Sequence, residues 1–222
     1  MKAAVAVPYW GAPLGEDERI SLRHLERFLG RYDRFAVGEA LPGLGLKRFP
    51  RRYFRDPFRY SRLLLSKRFY EAFAGYDYLL VYQLDCLVLR DELEEWCESG
   101  LDYVGAPWLP PAVEFVSEPA VGNGGFSLRR LAAFREVLER LPRLYWLRAD
   151  DRQRKHEDLF WSFGARELKP DFRIASVEEA LRFAFEVDPR RAYELAGGTL
   201  PFGCHAWAKY DREFWEPYLL RD

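Results

Sequence analysis

Cysteine is scarce in this sequence, neither sign of charge dominates, and no long apolar run occurs. The three cysteines, Cys86, Cys97 and Cys204, are odd in number and show no CxxC spacing, which argues against a disulfide framework or a zinc ribbon. With 34 Lys and Arg against 35 Asp and Glu, the formal net charge is -1. That balance argues against a general nucleic-acid coat, while leaving room for a local basic site. No stretch approaches the roughly 20 apolar residues that a membrane span requires. The apolar run within Met1–Pro8 is too short for a signal peptide. The expectation is a soluble, cytoplasmic protein with reduced thiols. Internal repeats, low-complexity segments and shifts of composition are also missing, so residues 1–222 are expected to form one domain.

What is present is a large supply of core material, 49% hydrophobic residues of which aromatics alone supply 17% of the chain. Ala3–Val7 reads as a buried strand ended by Pro8, with a loop from Tyr9 to Pro13. Glu16 to Gly30 has helical spacing, with Leu22, Leu25, Phe28 and Leu29 on one face and Gly30 as a stop. Phe35-Ala36-Val37 is a short second strand, and strand–helix–strand opens a parallel α/β sheet. From Leu41 to Tyr60, glycines and prolines argue against regular structure. Between Lys47 and Arg68 there are nine basic residues and one acid, Asp56, interleaved with Phe49, Tyr53, Phe54, Phe58 and Tyr60. Such a segment suits a phosphorylated, base-containing ligand, or equally a solvated loop whose arginines pair with carboxylates. Ser61 is expected to cap a helix running to about Ala74.

Tyr76–Leu89 follows, an apolar strand of the kind buried on both faces, with Asp85 where the run should end. Beyond the carboxyl end of a strand in an open α/β sheet, a carboxylate is well placed for chemistry; it can also be a turn or cap residue. Asp91–Ser99 reads as a short helix and Asp102–Trp108 as a strand running into a turn. In Val121-Gly122-Asn123-Gly124-Gly125-Phe126-Ser127, glycines permit positive φ and close approach to a ligand, or simply a tight turn. It is neither a Walker loop nor a GxGxxG fingerprint. Arg129–Leu141 has the pattern of an amphipathic helix, and Arg148–Lys155 reads as a charged, mobile loop. In His156-Glu157-Asp158-Leu159-Phe160-Trp161, adjacent acids either complement a helix dipole or supply a general base beside apolar walls. Phe172–Ala175 reads as a late strand, Ser176 caps a helix reaching Phe185, and His205 sits in an aromatic-rich turn.

Four pieces in this order, YDYLLVYQLDCLVLRDELEEWCESGLDYVGAPW, VGNGGFSLRR, HEDLFW and LPFGCHAW, resemble a family of uncharacterised glycosyltransferase-like domains. The resemblance covers most of the chain from about Tyr60 to Tyr210. It implies a GT-A-like α/β domain with a central, mainly parallel sheet flanked by helices, binding a nucleotide-sugar donor and a glycan or other hydroxylated acceptor. Gln83-Leu84-Asp85 matches the DxD motif that holds a divalent metal, Mn or Mg, with an amide in place of the first acid. Asp85 and His205 are the implied metal ligands. Gln83, Asp85, Arg59, Arg62 and Tyr9 fall on the donor side, and Arg129 is a further diphosphate contact by location. Asn123, Gly124, Gly125, Trp108 and Trp161 fall on the acceptor side. Asp158 matches the base of an inverting transfer, with Glu157 positioning the acceptor. Other readings stay open: a non-catalytic nucleotide-sugar or glycan-binding domain, which the loss of the first DxD acid favours; a nucleic-acid module using segment 47–68; and a glycoside hydrolase with paired carboxylates.

Overall fold

The computed structural model describes residues 1–142, 145 and 156–221. The loop expected at 148–155 lies outside them. In chain order the strands are β1 (Ala3–Tyr9), β2 (Asp33–Gly38), β3 (Gly45–Arg48), β4 (Tyr78–Tyr82), β5 (Leu87–Val88), β6 (Tyr103–Gly105), β7 (Pro107–Trp108), β8 (Ala120–Val121), β9 (Phe126–Arg130), β10 (Ala184–Phe185) and β11 (Gly203–Cys204). A six-stranded sheet has the order β3-β2-β1-β4-β9-β6. Its β3, β2, β1 and β4 run parallel, while β9 runs antiparallel to both β4 and β6. The central strands are wholly apolar because both faces are covered. Val5, Val7, Leu80 and Tyr82 pack into one layer; Ala4, Ala6, Val37 and Leu79 face the other. Full burial of each large side chain contributes roughly 1.5–3 kcal/mol.

Helix α1 (Glu16–Leu29) has three acids in its first turn, where they complement the helix dipole, and Gly30 at its end. Its buried face also includes His24, whose Nδ1 meets the Val88 carbonyl at 2.8 Å and whose Nε2 accepts the Leu220 N–H at 3.0 Å. The helix therefore ties the chain's C-terminal segment to β5, a contact that hydrophobic spacing does not report.

Several expected boundaries move. β1 continues through Pro8 to Tyr9, because Pro8 lies past the last register pair with β4, Ala6↔Val81. Segment 41–60 is not irregular. It contains β3 and a 3₁₀ turn at Arg51–Phe54, and α2 (Pro57–Leu64) begins there. Asp56, not Ser61, is the N-cap of α2, accepting the Arg59 N–H at 2.8 Å, with Pro57 pre-set for the first helical position. Ser61 is buried inside that helix. A second cap, Ser66, starts α3 (Lys67–Glu71), so the single expected helix is two. α4 spans Leu93–Glu98, followed by Gly100 at φ 71°. α5 spans Leu131–Arg140, which leaves Arg129 in strand β9 instead of at a helix start. Phe172–Ala175 contributes one isolated bridge, Tyr103↔Ile174. Ser176 does cap a helix, Val177–Phe183, with a full capping box, but Phe185 belongs to β10. Among the described residues no helix is long and apolar enough to cross a membrane.

Candidate active site

The order of strand addition reverses at β1: β2 lies on one side of it and β4 on the other, both parallel to it. In such sheets the crevice beyond the carboxyl ends of the two strands is the natural ligand site. A cavity of about 670 Å³ opens there, lined among others by Trp10 after β1, Tyr60, Gln83 and Asp85 after β4, Asp158 and His205. Antiparallel β9 enters from the same end, so its preceding turn reaches the cavity: the Gln83 N–H donates to the Gly125 carbonyl at 3.0 Å.

A small sheet, β10-β11-β5, supplies one wall. Its register pairs Phe185 with Cys204 and Cys204 with Leu87, which brings Glu186, His205 and Asp85 together at one end. The His205 Nδ1 lies 2.9 Å from Glu186 Oε1, and its Nε2 lies 3.1 Å from Gln83 Oε1 and 3.4 Å from Asp85 Oδ1. Burial disfavours charge on His205, but the charge and hydrogen bond of Asp85, with Glu186, outweigh it and push its pKa up to about 10. Burial likewise opposes ionisation of Asp85, yet His205 prevails and holds the carboxyl below its ordinary value. This corner therefore favours positive charge. Asp85 and His205 converge with the Gln83 oxygen beside them, a donor set that fits a divalent cation such as Mn or Mg. Cys86 lies within reach, but its buried thiol is pushed well above its ordinary pKa and donates to the Gly125 carbonyl at 3.3 Å. A protonated thiol is a poor ligand for a hard cation.

A second wall, touching the first at Gly125, is built by the glycine turn and the helix opening at Glu157–Leu159, which continues as a widened π-turn over Phe160–Gly164. Turns of that kind recur at functional sites. The glycines at 122, 124 and 125 do not adopt positive φ, contrary to one half of the expectation; they are needed for close approach. A Cβ on Gly124 would stand 2.9 Å from Glu157 Oε1, and one on Gly125 would collide with the His205 ring. Arg129 is fully buried and braces this wall, donating to Glu157 at 2.7 Å, Tyr70 Oη at 2.9 Å and Ser127 Oγ at 3.0 Å. It is thus a structural partner of Glu157 and is not presented to a diphosphate. Glu157, correspondingly, is buried in an ion pair with Arg129. Asp158 faces the cavity and accepts the Leu159 N–H at 3.0 Å. Burial first, then the charges of Glu157 and Glu186, push its pKa up to about 8.

The structure brings together Gln83, Asp85, Asn123, Gly124, Gly125, Glu157, Asp158 and His205 on one cavity. It does not bring in the rest. Arg59 pairs with Asp56 at 3.5 Å and Arg62 lies over the Phe58 ring; neither lines the cavity. Tyr9 donates to the Ala12 carbonyl at 2.7 Å, and Trp10 lines the cavity in its place. Trp161 is fully buried against Phe134 and Phe172 in the core, so it contacts no acceptor. Trp108 lines an adjoining chamber. In segment 47–68, Lys47, Arg52, Arg62 and Arg68 lie over aromatic rings of the same domain, and Arg55 is the one basic side chain from that segment that reaches the cavity. The basic–aromatic interleaving is largely intramolecular. Glu186, Arg55 and Lys209 were not singled out from the sequence. Glu186 carried a usable signal, an acid closing the apolar run Ala184-Phe185, the same pattern that marks Asp85.

The sheet and the position of the cavity define a GT-A-like α/β domain. The chain is similar in structure to a glycosyltransferase involved in glycosylation of the major capsid of PBCV-1, with a TM-score of 0.57, 12% identity and 98% of each chain covered. It is also similar to the apo form of glycosyltransferase GlyE from Streptococcus pneumoniae TIGR4, with a TM-score of 0.55 and 15% identity over the whole of this chain and 61% of GlyE. The chain thus spans less than two thirds of GlyE's length. No curated protein sequence matches it. By sequence, the chain belongs to the family described as "Protein of unknown function (DUF5672)", whose model matches residues 43–205.

Proposed function

We propose that this chain is a single-domain glycosyltransferase that moves a sugar from a nucleotide-sugar donor to a hydroxyl of a glycan or similar acceptor, with inversion. The observation that carries the reading is Asp158, a cavity-facing carboxylate with a raised pKa, on the same cavity as the His205, Asp85 and Gln83 corner. Asp85 and His205 would hold a divalent cation, with the Gln83 oxygen beside them, and its charge would offset that developing on the leaving diphosphate. Trp10, Phe54 and Tyr60 give the donor's base an aromatic lining, and Arg55 and Lys209 add positive charge near its phosphates. Asp158 accepts the proton of the acceptor hydroxyl as that oxygen forms its bond to the anomeric carbon. The bond from that carbon to the diphosphate oxygen breaks with its electron pair going to the diphosphate, and the proton stays on Asp158. Glu157 orients this carboxylate indirectly, by locking the helix start to Arg129.

A non-catalytic nucleotide-sugar-binding domain is the second reading, favoured by Gln83 where the resembling motif has an acid. A thermal-shift screen of nucleoside diphosphates and nucleotide sugars, with and without Mn, tests the first step common to both. One nucleotide at about 100 times its Kd should stabilise the fold by about 2.7 kcal/mol, or about 5–10 °C for a chain this size, and only with Mn present. No shift with any nucleotide would overturn both readings. A shift without detectable sugar transfer would select the binding domain.

A further inference from the structure

Beyond Asp158 the cavity continues into a second chamber of about 400 Å³. The two share a wall containing Asp158, Glu186 and Asn123. The chamber adds Trp108, Glu114 and Phe115, and Tyr210 lines both. Phe115 is 39% exposed and Tyr210 37% exposed, yet Phe115 is held edge-on to the Trp108 ring at 4.9 Å, and Trp108 is stacked on Phe163 at 5.9 Å. Trp108 itself is buried, so Phe115, backed by the Trp108 ring, and Tyr210 are the aromatic rings that the chamber leaves exposed.

We infer that this chamber is the acceptor subsite and that it takes a sugar ring, not a protein side-chain hydroxyl. The inference rests on the glycosyltransferase reading and specifies its acceptor. A pyranose has one apolar C–H face and a rim of hydroxyl donors. The exposed Phe115 ring, backed by Trp108, suits the face. Carboxylate oxygens accept hydrogen bonds, so Glu114 and Glu186 suit the rim. The volume falls within the about 300–1,000 Å³ of small-ligand sites, enough to enclose one ring and leave an opening for the glycan that bears it. Among the described lining residues this chamber has no Arg or Lys, whereas Arg55 and Lys209 line the donor side, so a phosphate is better placed there. A sugar seated here would present a hydroxyl to Asp158, which lines both chambers. Phe115 is then the residue that determines acceptor class.

Saturation-transfer NMR on the whole chain, with and without a nucleoside diphosphate and Mn, reads the two chambers separately. The probes are methyl glycosides of glucose, galactose, mannose and N-acetylglucosamine, and a serine-containing peptide. The expected result is transfer to the ring C–H protons of at least one glycoside and none to the peptide. Phe115→Ala should weaken that glycoside about threefold to tenfold, as loss of an aromatic contact does. Phe115→Trp should restore it, and nucleoside diphosphate affinity should stay within about twofold in both variants, because Phe115 lies outside the donor cavity. The inference is overturned if no glycoside binds, if only the peptide binds, or if Phe115→Ala binds the glycoside as the parent does. Glycoside binding that depends on Phe115, without any nucleotide binding, would leave the chamber a sugar site and refute the donor reading instead.

Discussion

On the small-sheet side of the cavity, Asp85 and Glu186 share one imidazole, His205, between them. On the helix side, Glu157 and Asp158 are adjacent in the chain but unequally supplied: Glu157 has the buried Arg129, while Asp158 accepts the main-chain N–H groups of Leu159 and Gly124. The first wall gathers positive charge and holds Asp85 ionised. The second leaves a carboxylate whose proton is easily held and easily released near neutral pH. Two walls of similar composition are thus fitted for opposite tasks, and the difference lies in where a cation has been placed, not in how many acids are present.

The largest effect should come from removing the carboxylate of the helix wall that has no side-chain cation among the described residues. Asp158→Asn keeps the shape and the main-chain hydrogen bonds but cannot take a proton, so kcat should fall about 10²- to 10⁴-fold. The parent's kcat should climb roughly tenfold per pH unit and level off above about 8, since the base works deprotonated and Asp158 is pushed up to about 8. Stability should move the other way. A folded-state pKa above the ordinary value of 3.8 adds stability that is complete below that value and lost as pH rises through about 8. Melting curves of parent and variant should therefore diverge between those limits, with the variant gaining relative to the parent as pH rises. A near-normal kcat in Asp158→Asn would remove the base from this wall.

The next effect concerns its neighbour and should be on folding. Glu157→Ala leaves Arg129 buried and unpaired, a change that costs about 3–5 kcal/mol. Urea unfolding checks it: a loss below about 1 kcal/mol, together with a raised KM for acceptor, would return Glu157 to the acceptor-positioning role that the motif resemblance implies. Adjacent residues would then differ less than the ion pair indicates.

How far the sequence foretells this depends on whether a signal is local. β1, α1, β2 and β4 follow from runs and caps within a few residues, and Asp85, Glu157, Asp158 and His205 are marked by motif order. The cation that neutralises Glu157 is not local. Arg129 sits 28 residues upstream and reads as the first residue of a helix, while in the fold it is the penultimate residue of β9. Likewise the arginines of segment 47–68 look available on composition alone. Arg52, Arg62 and Arg68 instead lie over Tyr53, Phe58 and Phe49, and the segment's Lys47 lies over Phe35 of β2 and Phe73 just past α3. Trp161 shows the same limit: an aromatic two residues past the Glu157–Leu159 turn can point either way, and within the π-turn it is buried in the core. Glu186 was legible, since it ends a short apolar strand as Asp85 does. Its meaning required the β10–β11 register, which spacing cannot supply.

That residue gives the smallest and most selective test of the two-wall contrast. The His205 Nδ1–H donates to Glu186, so the ring is fixed with Nε2 turned towards Asp85 and Gln83. A carboxylate in that position orients a ligating imidazole and raises its basicity, and losing such a partner typically lowers metal affinity about 10- to 100-fold. Glu186→Gln preserves an oxygen that can accept the same hydrogen bond but removes the charge. Mn affinity, read by electron paramagnetic resonance without any substrate, should fall by that factor while the fold persists. The parent's Mn affinity should also rise with pH, because His205, pushed up to about 10, must release its proton to bind a cation. If Mn binds the parent and is lost in Asp85→Ala but is unchanged in Glu186→Gln, the small-sheet wall still holds the cation and Glu186 has no part in it. If Glu186→Gln alone weakens Mn and leaves kcat at saturating Mn within about twofold, the two walls work independently, with cation binding on one and proton transfer on the other.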